Sequence, residues 1–163
     1  MSGGLRLVGI EELSAGALRD RLLARADAFW SDSALPPGDV RALHDPLFFH
    51  QLGGFGAVAL TPDDRDAGYL LGLVTADRLA VVQALAVDPA HRRHGVAVRL
   101  LERFAALAAG TGARVVQAVA VPGDGAVLGL ARRFGARVTP SAGHAGPGAD
   151  RLVLTRALPL HRR

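Results

Sequence analysis

Val87-Asp88-Pro89-Ala90-His91-Arg92-Arg93-His94-Gly95-Val96-Ala97-Val98 joins two segments of different periodicity. Upstream, Leu79 to Val87 is apolar at nearly every position, which predicts a central strand covered on both faces. Asp88-Pro89 ends it. Downstream, Ala97, Leu100, Leu101, Phe104, Leu107 and Ala108 recur at i, i+3, i+4 and i+7. They predict an amphipathic helix from about Ala97 to Ala109, closed by Gly110 and Gly112. The first N–H groups of such a helix lack intrahelical acceptors, and its dipole favours an anion there. Arg92 and Arg93 add positive charge, Gly95 permits a positive φ or a close backbone approach, and Ala97 leaves room at the first turn. Together these parts make a cradle for a pyrophosphate.

On the N-terminal side of this unit, Leu5 to Ile10 reads as a short strand. Ser14 precedes a helical spacing of Leu18, Leu22, Ala26 and Phe29, which predicts a helix to about Trp30. Ser31 to Gly38 contains Pro36-Pro37-Gly38 and reads as a loop, and Asp39 to His50 as a second short helix interrupted before Pro46. Phe55 to Leu60 and Tyr69 to Thr75 flank a polar stretch from Pro62 to Asp66 and predict an antiparallel hairpin. On the C-terminal side, Arg114 to Val121 reads as a strand and Asp124 to Phe134 as a helix stopped by Gly135. Arg137 to Thr139 and Arg151 to Leu158 read as final strands. Pro140 to Asp150, rich in Gly, Ala and Pro, reads as a mobile loop. The order is β-α-α-β-β-β-α-β-α-β, with room for one more strand. This is an α/β fold built on a mixed sheet, not a doubly wound parallel one. Residues 1–163 are expected to form one domain.

Composition narrows the chemistry. There is no Cys, which removes thiol nucleophiles and thiolate metal sites, and no Lys, which removes a Walker-type phosphate loop and a pyridoxal Schiff base. All 19 basic residues are Arg, so the pI of about 11.1 reflects residue choice more than field strength: the net charge is only +4. No apolar run approaches the ~20 residues of a membrane helix, and Met1-Ser2-Gly3-Gly4 does not read as a signal peptide. A cytoplasmic protein is the expectation.

Arg92-x-x-Gly95-x-Ala97, after a strand ending Leu85-Ala86-Val87-Asp88-Pro89, resembles the acyl-CoA loop of the GNAT superfamily of N-acetyltransferases. The resemblance is carried by this motif, by the element order and by the strand-helix-Gly unit ending at Gly135. It implies a mixed, mostly antiparallel sheet flanked by helices, with splayed central strands. The strand holding Leu85 and Val87 would part from that spanning Arg114 to Val121, and the pantetheine arm would lie in the gap. Leu85, Ala86, Val87, Arg92, Arg93, His94, Gly95, Val96, Ala97 and Val98 are the implied cofactor-binding residues. Backbone N–H groups from Arg93 to Val98 would hold the diphosphate, and Arg92 would order the loop. Acetyl-CoA is the implied cosubstrate, without a metal.

Two positions depart from the family pattern. Ala131 stands where many members carry a Tyr that protonates the leaving thiolate, and Val81 where many carry a Glu that serves as base. Asp124 aligns with a pantetheine-contacting Asn; as a carboxylate it accepts but cannot donate, and it also reads as a helix cap. Tyr69, the only Tyr, is either a stand-in acid or a half-buried strand residue. Gln83 either orients substrate or water or is satisfied by neighbours. Glu11 and Glu12 belong to the first helix, and Glu102, on the second turn of the helix after the loop, is placed to pair with Arg99. His91 and His94 lack a third ligand nearby and do not read as a metal pair. His44 and His50 fall where the family builds its acceptor pocket; His144 and His161 receive no role. No catalytic residue is assigned.

The leading function is therefore transfer of an acetyl group from acetyl-CoA to a primary amine of a small molecule or peptide by direct attack. The competing reading is an acyl-CoA sensor of the same fold with little turnover. A nucleic-acid partner is disfavoured by the modest charge and the scarcity of aromatics, and a membrane partner by the absence of a span. The resemblance leaves room for a homodimer. A site without a strong base suits a low-pKa amine: an α-amine near 7.7–8.0 is partly free at pH 7, a lysine-type amine near 10.4 is not.

Overall fold

The computed structural model describes residues 4–13, 20–22, 24–42 and 54–160. Its strands are β1 (Arg6–Gly9), β2 (Phe55–Leu60), β3 (Asp66–Val74), β4 (Leu79–Val87), β5 (Val115–Ala120), β6 (Arg137–Ser141) and β7 (Arg151–Ala157). Its α-helices are α1 (Ala26–Phe29), α2 (Pro37–Ala42), α3 (Val96–Gly110) and α4 (Gly125–Phe134). The strands form one seven-stranded sheet in the order β1-β2-β3-β4-β5-β7-β6. Every neighbouring pair is antiparallel except β4 and β5, which run parallel.

Side chains alternate along each strand, and the alternation divides the core. Ala57, Ala59, Leu70, Ala80 and Val116 pack under α3 through Val96, Leu100, Phe104, Ala105 and Ala108, joined by Phe134 of α4. Val58, Leu60, Tyr69, Leu71, Ala84 and Ala86 face the other way and pack with Leu22 and with Phe29 of α1. At Gly72 a Cβ would lie 2.5 Å from the Phe104 ring, so the missing side chain is what lets α3 sit this close to β3.

Most elements follow the periodicity, and the differences have local causes. The first helix is not continuous: residues 20–22 are helical, Arg25 is a turn, and α1 resumes at Ala26. Its expected beginning at Ser14 lies outside the described residues, as does 43–50 of the expected second helix. That helix begins earlier than expected, at Pro37, a residue suited to the first helical position because it has no N–H to satisfy. β4 is not covered on both faces: Ala80, Ala84 and Ala86 are buried, but Val81, Val82, Gln83 and Leu85 are half-buried and line a cleft. Pro140 to Asp150 begins inside a strand and continues as a series of turns. β6 continues through Ser141, and the Gly143 N–H donates to Asp150 Oδ1 at 2.8 Å while Ala145 and Ala149 donate within the turn series.

Candidate active-site cleft

β4 and β5 are hydrogen-bonded only at their beginnings, through Leu79↔Val115, Ala80↔Val116 and Val81↔Gln117. Beyond Val81 they part. The register against β3 shifts between Leu71 and Gly72, leaving Gln83 as the unmatched residue of a β-bulge. A bulge bends its strand and increases its twist, which carries β4 away from β5 and leaves that edge of β4 without a strand partner. The opening is a cleft of about 360 Å³ with a largely apolar lining. Leu101, Leu130, Ala131 and Phe134 close it on the α3–α4 side, and Trp30, Ser33, Ala34 and Leu35 border it on the α1 side. Leu85 is on its wall. Ala86 is buried among the α1-side residues, and Val87 is half-buried where the strand ends.

The basic loop turns at the mouth. Asp88 Oδ1 accepts the Ala90 N–H at 2.8 Å, capping a single 3-10 turn over Pro89–His91. Arg92 does not add free positive charge as expected. Its Nε donates to the Val87 carbonyl at 3.1 Å, and both terminal guanidinium nitrogens reach the Asp32 carboxylate, one at 2.9 Å. The hydrogen bond from Arg92 holds the Asp32 carboxyl below the usual carboxylate range, and Asp32 in turn raises Arg92. A second ion pair, Arg25 with Asp88, crosses the same interface in the opposite sense.

Arg93 is exposed and has a positive φ of 65°. His94 is exposed, and its Nδ1 lies 2.6 Å from the Arg92 carbonyl oxygen. Gly95 caps α3 with a φ of 77°, a conformation that costs a side-chain-bearing residue but not glycine. From Gly95 the chain enters the helix: Val96 is buried, and Ala97 and Val98 are half-buried. The Arg99 N–H is the first to find a helical acceptor, Gly95 O at 3.1 Å. Within the described residues none of the N–H groups from Arg93 to Val98 has an acceptor, so the start of α3 offers a row of donors to an anion.

The departures from the family pattern meet in this cleft. Val81 and Ala131 both line it, and neither can move a proton. Asp124 also lines it, but its Oδ1 accepts the Val127 N–H at 3.0 Å and caps α4. The Gln83 side chain has no hydrogen-bond partner among the described residues, being placed along the cleft by the bulge. Tyr69 is buried rather than half-buried. Its hydroxyl accepts a 2.6 Å hydrogen bond from Trp30 Nε1, and burial pushes its acidity far below that of an ordinary phenol. Glu12 accepts the Gly9 N–H, Glu102 is exposed, and Arg99 donates to the Leu5 carbonyl instead of pairing with Glu102. His44 and His50 lie outside the described residues. Among the described residues no group of three His, Asp or Glu could hold a metal ion.

Three lining residues carried no sequence signal strong enough to single them out: Gln117, Thr155 and Arg151. Gln117 was detectable as a polar interruption of an apolar strand. The other two become recognisable only when β7 is laid beside β5.

Residues 21–136 match the Acetyltransferase (GNAT) family. No curated protein matches the sequence. Solved structures share the fold at low identity. An acetyltransferase of the GNAT family from Staphylococcus aureus is 10% identical, with 96% of this chain and 100% of that one aligned at a TM-score of 0.75. A Bacillus subtilis acetyltransferase in complex with CoA is 18% identical, over 96% and 100%, at 0.68. The Salmonella typhimurium protein yncA, solved with acetyl-CoA, is 17% identical, over 98% and 97%, at 0.66.

Proposed function

The chain belongs to the GNAT family of acetyltransferases, and from that premise we propose that it moves the acetyl group of acetyl-CoA directly to a primary amine. The observation that carries this reading is the parting of β4 from β5 after Val81↔Gln117, with the open amides of α3 at the mouth of the gap. An extended pantetheine arm fits such a gap because it can pair with the unmatched strand edge. The N–H groups from Arg93 to Val98 would receive the diphosphate. Leu85, Ala86 and Val87 would flank the arm, and Arg92 would hold the loop in shape through Val87 and Asp32. Residues 1–163 would act as one catalytic domain.

The chemistry is a single displacement. The amine lone pair attacks the thioester carbonyl carbon, the C–S bond breaks, and the thiolate leaves with coenzyme A. One amine proton passes to solvent, and the thiolate takes one up. Val81 and Ala131 supply neither transfer, so the chain's contribution is positioning and polarisation of the carbonyl by backbone N–H groups.

A second reading, acyl-CoA sensing with little turnover, is favoured by those same two residues. Calorimetry with coenzyme A tests what both readings share: heat that is lost in Arg92→Glu is expected, and no heat with the unaltered protein overturns both. Thiol release from acetyl-CoA across a panel of amines then separates them. Release supports the transferase; binding without release for any amine supports the sensor.

A further inference from the structure

We propose that the acceptor amine carries a carboxylate and that Arg151 binds it. This rests on the transferase reading and names its substrate class. The β5–β7 register runs without a break from Val115↔Ala157 to Ala120↔Leu152, which sets Arg151 beside Val121, and both line the cleft. Val116 packs under α3, so Gln117 faces the other way, and its pair partner Thr155 shares that face. By alternation Arg151 does too. That is the face on which α1 packs, so Gln117, Thr155 and Arg151 lie on the side of the sheet bordered by Trp30 and Leu35. It is opposite to α3 and α4.

Among the described residues the guanidinium of Arg151 has no carboxylate partner. Its Nη1 donates to the carbonyl of its neighbour Asp150 at 2.9 Å. The Asp150 carboxylate is turned to the Gly143 N–H, Asp124 caps α4, and Asp32 is held by Arg92. Arg156, the other cation on the cleft, lies over the Phe134 ring on the opposite face. On the lining of the cleft the cations are Arg151 and Arg156 and the one carboxylate is Asp124, and among the described residues Arg151 is without a carboxylate partner. A guanidinium on a largely apolar cleft is best satisfied by a bidentate carboxylate. A polycation would meet Arg151 and Arg156 there, against the single carboxylate of Asp124.

The same pairing helps the chemistry. In an amino acid or peptide the substrate's own carboxylate attracts the ammonium proton and holds it. Binding that carboxylate to Arg151 neutralises the attraction, and the cation itself disfavours an adjacent ammonium. More of the amine is then free to attack without a protein base, which fits a cleft whose lining offers Val81 in that place.

The test compares thiol release from acetyl-CoA with free amino acids and dipeptides, with their C-terminal amides, and with spermidine. The expected result is kcat/KM higher by about tenfold or more for the free acids than for their amides, the size of a lost charge-assisted hydrogen bond. Arg151→Gln should erase that ratio and Arg151→Lys should keep part of it, with coenzyme A heat retained in both. Equal use of acids and amides, preference for spermidine, or a ratio untouched by Arg151→Gln would overturn the proposal. So would coenzyme A binding without release for any of these amines. Absence of coenzyme A heat is a different failure, that of the transferase reading itself.

Discussion

Arg92 reaches back to Asp32, sixty residues earlier in the chain, and ties the loop after β4 to the segment that borders the cleft on the α1 side. The pair is mostly exposed, with side chains 34% and 64% accessible, so its direct contribution to stability is small. Its value is geometric. Asp32→Ala should release Arg92, and with it the shape of the loop, lowering coenzyme A affinity by several-fold while the melting temperature moves little. Calorimetry and thermal melting on the same sample check both halves.

The sign of the acid dependence follows from the lowered Asp32 carboxyl. Its folded value lies below the ordinary 3.8, so the pair is complete above that pH and is lost as pH falls through the folded value. Coenzyme A affinity should therefore show a component that weakens only below about pH 4, and Asp32→Asn should remove that component.

Gly95 combines a φ of 77° with open space around the position of a Cβ. Gly95→Ala should therefore cost about 1–2 kcal/mol from backbone strain alone. No side-chain clash adds to it. Denaturant unfolding would give the stability loss, and the altered start of α3 should appear as weaker coenzyme A binding.

Gly72 is the opposite situation. Its conformation is ordinary, but a Cβ would fall 2.5 Å from the Phe104 ring and 2.5 Å from the Val81 carbonyl oxygen. Gly72→Ala must push α3 off the sheet or shift β4, and overpacking of this kind costs about 1–3 kcal/mol, occasionally more. A lower denaturation midpoint with an unchanged slope is the expected result.

Tyr69 and Trp30 are the only Tyr and the only Trp, so the chain reports on itself. Burial raises Tyr69 above the ordinary phenol value of 10.0. Its contribution to stability is complete below that pH and is lost as pH rises through the folded value. Phenolate absorbance should thus appear only together with unfolding. Trp30 borders the cleft, so its emission should change as coenzyme A is titrated in. A saturable signal with the calorimetric affinity is expected.

The sequence by itself determined the elements and the loop. The switch from the apolar run of Leu79 to Val87, interrupted only by Gln83, to the helical spacing of Leu100, Leu101 and Phe104 is local information. So is the glycine that ends α4. Periodicity records which face of each element must leave water, and glycine records where φ turns positive. What these cannot carry is which strand lies beside which, and where pairing stops. The bulge at Gln83 depends on the register against β3. The neutralisation of Arg92 depends on Asp32 arriving from a distant segment, and the position of Arg151 depends on β7 inserting between β5 and β6. A lone Arg near a Gly-rich stretch looks like any surface cation. Only tertiary structure placed it on the lining of a cleft with no carboxylate partner among the described residues, because hydrogen-bonded strand register acts across the chain and leaves no mark in the spacing along it.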